Sequence, residues 1–322
     1  MCARALTLDH LVIAVRDLPL AERNYTRLLG REPSWRGSHP TYGTSNVLYR
    51  LDNTYIELLS PAEGAGGGRD PRPVTHDPGP ASGWAIALRN HLDRAGEGLY
   101  AIALGTDDID AAVARARERG LTVADPAAGD GVDQTTGARR AWRNARIDPK
   151  TTRGVVAFFI QHSSPPDALP FAPPAAGRGL VTGVDHTVVV SPALDAALAL
   201  WRDALGLDLR RTVDWSPERR LHFLRLGDTI LELAGRPETT AEGGGEAATR
   251  DPSPATPRAG WGGDALWGVS YRVDDLAAHV ARLRAAGIEV SDARTGRADR
   301  TLVADLKPGF SHDVRTLFLQ KT

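Results

Sequence analysis

The chain has 322 residues, long for one domain and comfortable for two, and its 42% hydrophobic and 25% charged residues suit a globular protein with a full core. A formal net charge of −1 provides no basic field for a phosphate backbone, and no run approaches the roughly 18 apolar residues of a membrane span. Nucleic-acid and membrane partners are therefore not expected. Cys2, the single cysteine, has no internal disulfide partner, and the amino end carries no signal-peptide pattern, which points to the cytoplasm.

In chain order, the first element is LDHLVIAVRDL (8–18), an apolar run around His10. A helix-patterned run, AERNYTRLLG, follows and ends at Gly30. The loop SHPTYGTSN (38–46), with His39 and Tyr42, leads to the strand RLDNTYIELLSP (50–61), which holds Glu57 among apolar neighbours. Residues 62–80, containing His76, form a Gly/Pro-rich connector. LYAIALGTDDIDAAVARARERGLTV (99–123) reads as strand, Asp-Asp turn, helix, glycine and strand. Tyr100 lies on the first strand, Asp107 lies near the helix start and Gly120 just past its end. RRAWRNARI (139–147) alternates as a strand through Trp142 and Arg143, and AFFIQHS (157–163) follows with Gln161 and His162.

After a Pro/Ala/Gly-rich linker at 164–182 the same order returns. VDHTVVVSPAL (184–194) surrounds His186, and DAALALWRDALG runs to Gly206. LHFLRL (221–226) carries His222 and RLGDTILELAGRP (225–237) carries Glu232. A second connector (238–263) precedes LWGVSYRVDDLAAHVARLRAAGIEV (266–290), with Trp267, Tyr271, Asp274 and Gly287. His312 and the strand TLFLQKT (316–322), with Gln320, close the chain. His10 precedes Glu57 by 47 positions and His186 precedes Glu232 by 46. This is a fourfold repeat of one βαβββ module. A single module exposes one face of its sheet, so four give two closed pairs and an α+β fold. The implied domains are 1–163 (modules 6–61 and 98–163) and 183–322 (modules 183–237 and 265–322), joined by the 164–182 linker. Modules pair 1 with 2 and 3 with 4 in this reading; pairing 1 with 3 would instead unite His10, Glu57, His186 and Glu232.

The phrases LDHLVIAVRDL, YIELLSP and GEGLYAIALGTDDIDAA resemble the vicinal-oxygen-chelate superfamily of glyoxalases, epimerases, extradiol dioxygenases and bleomycin-resistance proteins. SHPTYGTSNVLYRLDNTYIELL (38–59) is similar to glyoxalase-like domains with an H-P-x-x-G-T-x-N signature. The resemblance covers almost the whole chain and implies U-shaped mixed sheets, each enclosing a divalent metal held by first-strand His and last-strand Glu. Carried onto this chain, the four positions hold His10, Glu57, Ala101 and Gln161 in the first domain. In the second they hold His186, Glu232, Gly268 and Gln320. A slip of one or two residues would put Phe159 or Phe318 in the last position.

Each domain thus keeps one His and one carboxylate, with Gln as a weak third ligand, where three protein ligands are the usual catalytic minimum. Fe, Mn, Zn, Ni or Co are the candidate ions; no phosphate-loop motif suggests a nucleotide cofactor. A buried carboxylate is costly unless paired or ligated, so Glu57 and Glu232 are expected to serve as ligands or as general bases. His39, Tyr42, Tyr100, Trp142, Arg143, His222, Trp267 and Tyr271 are candidates for lining the pockets, although Arg143 is better placed on a solvated face. His76, His162 and His312 are further candidates for a missing ligand. The expected function is a divalent-metal-dependent isomerase, lyase or hydrolase acting on an oxygenated organic molecule, as monomer or homodimer. Oxygen insertion is disfavoured because the two-His, one-carboxylate set is incomplete. The alternatives are a metal-free binding or sequestration protein and a dioxygenase.

Overall fold

A computed structural model describes residues 5–39, 42–62, 82–175, 177–237, 263–298 and 300–322. His76 and nearly all of both connectors lie outside the described residues.

The first half consists of β1 (Thr7–Ala14), α1 (Leu18–Leu29), β2 (Trp35–His39), β3 (Thr44–Arg50), β4 (Tyr55–Pro61), α2 (Ser82–Ala95), β5 (Gly98–Gly105), α3 (Ile109–Glu118), β6 (Ala127–Asp133), β7 (Arg139–Arg146) and β8 (Val156–His162). The second half repeats the order. It comprises β9 (Val181–Ser191), α4 (Leu194–Leu198, continuing as a π-helical turn over Ala199–Ala204), β10 (Asp208–Ser216), β11 (Arg219–Leu226) and β12 (Thr229–Gly235). Then come β13 (Ala265–Val273), α5 (Leu276–Ala285), β14 (Arg294–Thr295), β15 (Thr301–Asp305) and β16 (Arg315–Lys321). Apart from α2, these are four βαβββ modules. Antiparallel pairing of β1 with β5, and of β9 with β13, joins modules 1 to 2 and 3 to 4, so the two His/Glu pairs lie in separate sheets.

Local chemistry sets the helix ends. The side chains of Asp17, Asp108 and Asp275 accept backbone N–H groups at the starts of α1, α3 and α5. In the Asp-Asp turns the cap is therefore the second aspartate, not Asp107 or Asp274; Asp274 instead accepts the Leu180 N–H. Gly30, Gly120, Gly206 and Gly287 all take positive φ after their helices, as the repeat predicts.

The two sheets close differently. The first runs β1-β4-β3-β2-β6-β7-β8-β5 as a closed barrel, sealed by Gly37↔Asp133 and Ser38↔Val132 between β2 and β6. Among the described residues the second, β10-β11-β12-β9-β13-β16-β15-β14, stays open, and β14, two residues long, pairs only with β15. The expected U shape thus describes the second sheet, whereas the first has become a barrel.

Period-two alternation assigns the faces. Leu11, Ile13, Ile56 and Leu58 join a continuous core that also takes in Val189, Leu231, Tyr271 and Phe318 from the second half. The two halves therefore pack through their helix-bearing faces. Polar ties cross this junction: Arg153 Nε donates to Asp264 at 3.0 Å, Tyr25 OH donates to the Ser311 carbonyl at 3.1 Å, and the Asn53 amide pairs with both backbone groups of Val184. The alternate residues His10, Val12, Glu57 and Leu59 are left for the concave face. Among the described residues, no helix is long and apolar enough to cross a membrane.

Candidate active site

The concave side of the first sheet is closed by α2, an element absent from the βαβββ repeat. Its four-residue spacing of Trp84, Leu88 and Leu92 brings an apolar stripe against Val12, Leu59, Tyr100, Ala101 and Phe158. Between helix and barrel lies a cavity of about 80 Å³, room for several waters. Trp35, Tyr42, Tyr55, Trp84, Tyr100, Trp142 and Phe158 are among the side chains that line it. The expected pocket residues His39, Tyr42, Tyr100 and Trp142 all face this space.

One polar chain runs through this apolar wall. His10, 3% exposed, sends Nδ1–H to Asp9 Oδ1 at 2.6 Å and places Nε2 3.4 Å from Glu57 Oε2. Asn46 donates Nδ2–H to Glu57 Oε1 at 2.7 Å and lies 3.4 Å from His39 Nε2; His39 Nδ1 is 3.0 Å from Thr44 Oγ1. At the other end His162 Nε2 reaches Asp9 Oδ2 at 2.9 Å. The Tyr55 ring stacks on His10 at 4.4 Å between centroids.

These contacts set the charges. Burial pulls the His10 imidazole toward neutrality, but hydrogen bonds and charge from Asp9 and Glu57 outweigh it and raise its pKa to about 9. Burial favours the protonated form of Glu57, yet His10, His39 and Asn46 hold its carboxyl below the ordinary value. Asp9 is held far below the carboxylate range by His10 and His162, against burial. Burial pushes the His39 pKa down. At neutral pH the cavity therefore presents an imidazolium N–H beside a carboxylate, in surroundings where each charge is strongly felt.

The strand register corrects the expected ligand set. His10 lies opposite Ala103 and Val12 opposite Ala101, so the two-fold that exchanges β1 and β5 puts Ala101 in the place of His10. Glu57 neighbours Val12 on β4, and the matching neighbour of Ala103 on β8 is Phe158, not Gln161. The same construction in the second half gives Gly268 and Leu317, not Gln320. Gln161 Oε1 instead accepts the Ile109 N–H while Nε2 donates to the Asp107 carbonyl, and Gln320 Oε1 accepts the Leu276 N–H. Both amides are spent on helix starts. The slipped alternatives fail as well, since Phe159 and Phe318 point into the helix-side core.

No group of three or more His, Cys, Asp or Glu suited to a metal occurs among the described residues. His10 and Glu57 are two donors whose symmetry mates are apolar. Asp9 accepts from His10 Nδ1, away from the Nε2 that faces Glu57, and Asn46 turns an N–H toward Glu57. This donor set does not fit a three-ligand catalytic ion.

Other expectations sort by face. Arg143 is half-buried and paired twice with Asp110, at 2.6 and 2.9 Å, and is not part of the cavity lining. His222 lies opposite the core residue Leu233 and bonds Thr212 Oγ1 at 2.8 Å, so it faces the helices rather than a pocket. Tyr271 is fully buried in the helix-side core. Trp267 does reach the concave face of the second sheet. His312 bonds Glu97 at 2.7 Å where the halves meet. In the second half His186 bonds Asp185 at 3.0 Å but lies 3.8 Å from Glu232, whose carboxyl burial pushes up.

Asp9, Asn46, Trp84 and Arg140 were missed as site residues. Asp9 had a signal, because both LDH and VDH place aspartate before the histidine. Asn46 closes the H-P-x-x-G-T-x-N signature, and Trp84 starts the apolar stripe of α2. Arg140 had none, since its alternation with Trp142 resembles that of any strand.

Residues 8–181 match the glyoxalase-like domain, and residues 185–304 match the glyoxalase/bleomycin resistance protein/dioxygenase superfamily. Human mitochondrial methylmalonyl-CoA epimerase is 35% identical over 106 residues, 33% of this chain and 49% of its own length, so the match spans about half of that relative. Among solved structures, a mutant 4-hydroxymandelate synthase from Streptomyces coelicolor superposes with a TM-score of 0.64 at 15% identity, covering 99% of this chain and 93% of its own. The Mn(II)-bound glyoxalase from Novosphingobium aromaticivorans gives 0.59 at 16% identity, covering 99% and 83%. At such identities these two likenesses speak for the fold alone.

Proposed function

Since the chain belongs to the glyoxalase-like family, we propose that its first half is an acid–base enzyme moving a proton on a small oxygenated organic molecule. The reaction is an isomerisation or elimination next to a carbonyl. The observation behind this reading is the His10/Glu57 couple, an imidazolium and a carboxylate 3.4 Å apart at the wall of a cavity rich in aromatic side chains. Glu57 takes the proton from the carbon beside the carbonyl, and the C–H electron pair moves into the enolate. His10 Nε2–H stabilises the oxygen on which charge develops. Returning the proton to carbon completes an isomerisation; expelling a neighbouring group completes an elimination. Asp9 fixes the imidazole ring, Asn46 orients Glu57, and Trp84 on α2 covers the cavity against water. The proposed catalytic domain is 1–163.

A second reading, small-molecule sequestration, draws on the aromatic lining, which would hold a ligand without any chemistry. Solvent exchange separates the two. The protein is incubated in D₂O with a panel of enolisable 2-hydroxy and 2-oxo compounds, and deuterium uptake at carbon is followed by NMR. Chelator-treated wild type should catalyse exchange and Glu57→Gln should lose it by 100-fold or more, in the range for a general base. Exchange that requires added Mn, Fe, Zn, Ni or Co would refute the metal-free mechanism and restore a metal centre at His10 and Glu57. Binding of panel members without exchange would establish sequestration.

A further inference from the structure

A second cavity, of about 990 Å³, lies between the two halves and outside both concave faces. Its walls come from the start of β1, the β3–β4 turn and α3 of the first half, and from the turns around Gly206 and Gly227 of the second. Six arginines line it against four aspartates. Asp9 is already held by His10 and His162. Asp52, Asp208 and Asp228 are exposed to water and, among the described residues, pair with none of these arginines. Arg115, Arg119 and Arg210 likewise have no carboxylate partner among the described residues. Arg115 and Arg119, four positions apart at the end of α3, share one face. The Arg119 guanidinium also reaches the other half, since a Cβ added at Gly206 would lie 2.9 Å from its Nη1. Arg140 is the buried member of the group. It is 7% exposed, its guanidinium lies 5.3 Å from the Tyr55 ring and 5.7 Å from that of Trp35, and among the described residues no carboxylate pairs with it. A guanidinium buried without a counter-charge is costly, so its place in the wall of a large cavity marks where a negative charge belongs.

We propose that this cleft between the halves is an anion site, separate from the His10/Glu57 cavity, and that it takes a phosphorylated small molecule. A single carboxylate satisfies one guanidinium through two parallel hydrogen bonds. Arg115, Arg119 and Arg140 from one half and Arg210 from the other call for more anionic oxygens than that, which phosphoryl groups supply. The volume lies at the upper end of the roughly 300–1,000 Å³ of small-molecule sites and leaves room for an organic body beside Leu6, Leu169 and Leu207. Tyr55 and Arg140 line both cavities, and the Tyr55 ring stacks on His10, so the anion would sit one side chain away from the acid–base couple. The site does not depend on the reaction proposed for that couple.

The probe is inorganic pyrophosphate, with acetate as the single-carboxylate comparison, titrated calorimetrically into the full chain without divalent ions. Pyrophosphate should bind at one equivalent and about tenfold or more tightly than acetate. It should weaken when NaCl rises from roughly 50 to 500 mM, as screening of exposed charges requires. Arg119→Gln and Arg210→Gln should each weaken it about five- to tenfold, with melting temperatures unchanged because both side chains are exposed. Arg140→Gln should weaken it about tenfold or more. Arg143→Gln, outside both cavities, and Glu57→Gln should leave binding as it is. No saturable binding, equal affinity for acetate, or Arg119→Gln and Arg210→Gln variants that bind like wild type would overturn the proposal. Equal weakening by Arg143→Gln would overturn it as diffuse charge attraction, and loss of binding in Glu57→Gln would overturn it by moving the anion to the first cavity.

Discussion

The charge state of His10 can be read as a stability curve. Its pKa is raised in the folded chain from the ordinary 6.5 to about 9 by the Asp9 and Glu57 carboxylates, which outweigh burial. At about 1.4 kcal/mol for each tenfold change in the proton equilibrium, that rise corresponds to on the order of 3 kcal/mol of folding free energy. A raised basic pKa fixes the sign. The contribution is fully present below pH 6.5, where both folded and unfolded imidazoles are protonated, and is lost as pH climbs through 9. The perturbation is therefore pH itself, with His10→Gln as the reference that keeps a polar side chain but cannot titrate. Urea unfolding of both proteins at half-unit steps from pH 6 to pH 10 gives two curves. Their difference cancels every other titrating group that the substitution leaves alone. The wild-type advantage should fall by about 3 kcal/mol across the window, with its slope confined between pH 6.5 and 9. A difference that stays flat, or grows with pH, would falsify the assignment of an imidazolium between two carboxylates.

Asp9→Asn removes the negative charge, and one of the two carboxylate oxygens, that face His10 and His162; the His10 pKa, followed by imidazole NMR, should drop toward 6.5, and no drop would make Glu57 alone responsible. Gln161→Ala exposes the helix-start N–H of Ile109 and should cost about 1 kcal/mol in thermal unfolding. Deuterium exchange by this variant should match wild type, whereas impaired exchange would return Gln161 to the site. Arg153→Ala leaves the buried Asp264 carboxylate with only Ser191 and should destabilise by about 3 kcal/mol near neutral pH. Because burial already raises the Asp264 pKa, that loss should shrink in acid as the carboxyl protonates, which unfolding at pH 4 and pH 7 will test. At Gly37 a Cβ would run into the Trp35 indole and lie 2.8 Å from Asn46 Oδ1, so Gly37→Ala should pull Asn46 from Glu57 and lower exchange at least tenfold. An unimpaired Gly37→Ala protein would show that Asn46 does not matter to the base.

Much of this protein could be read without coordinates because its fold is a repeat. Four copies of one hydrophobic pattern, each with strand alternation and a glycine after its helix, specify βαβββ modules through local physics. The same alternation puts His10 and Glu57 on one face of their strands, opposite Leu11 and Ile56. What failed was anything that depends on register. The triplets YIE and FIQ suggest that Gln161 is the mate of Glu57, but pairing of β5 with β8 makes it Phe158, three residues earlier. Side chains on a strand change face with every residue, so an odd slip moves a residue from the cavity to the opposite surface. That is why Gln161 and Gln320 serve helix starts and why the metal set expected of the family is short of donors. Closure of the first sheet was equally hidden, since it rests on a two-residue contact between β2 and β6, strands nearly 100 positions apart. Local periodicity determined the elements, their order and the pair His10 and Glu57. Only the tertiary pairing of strands decided which residues oppose that pair, because register is set by contacts far apart in the chain.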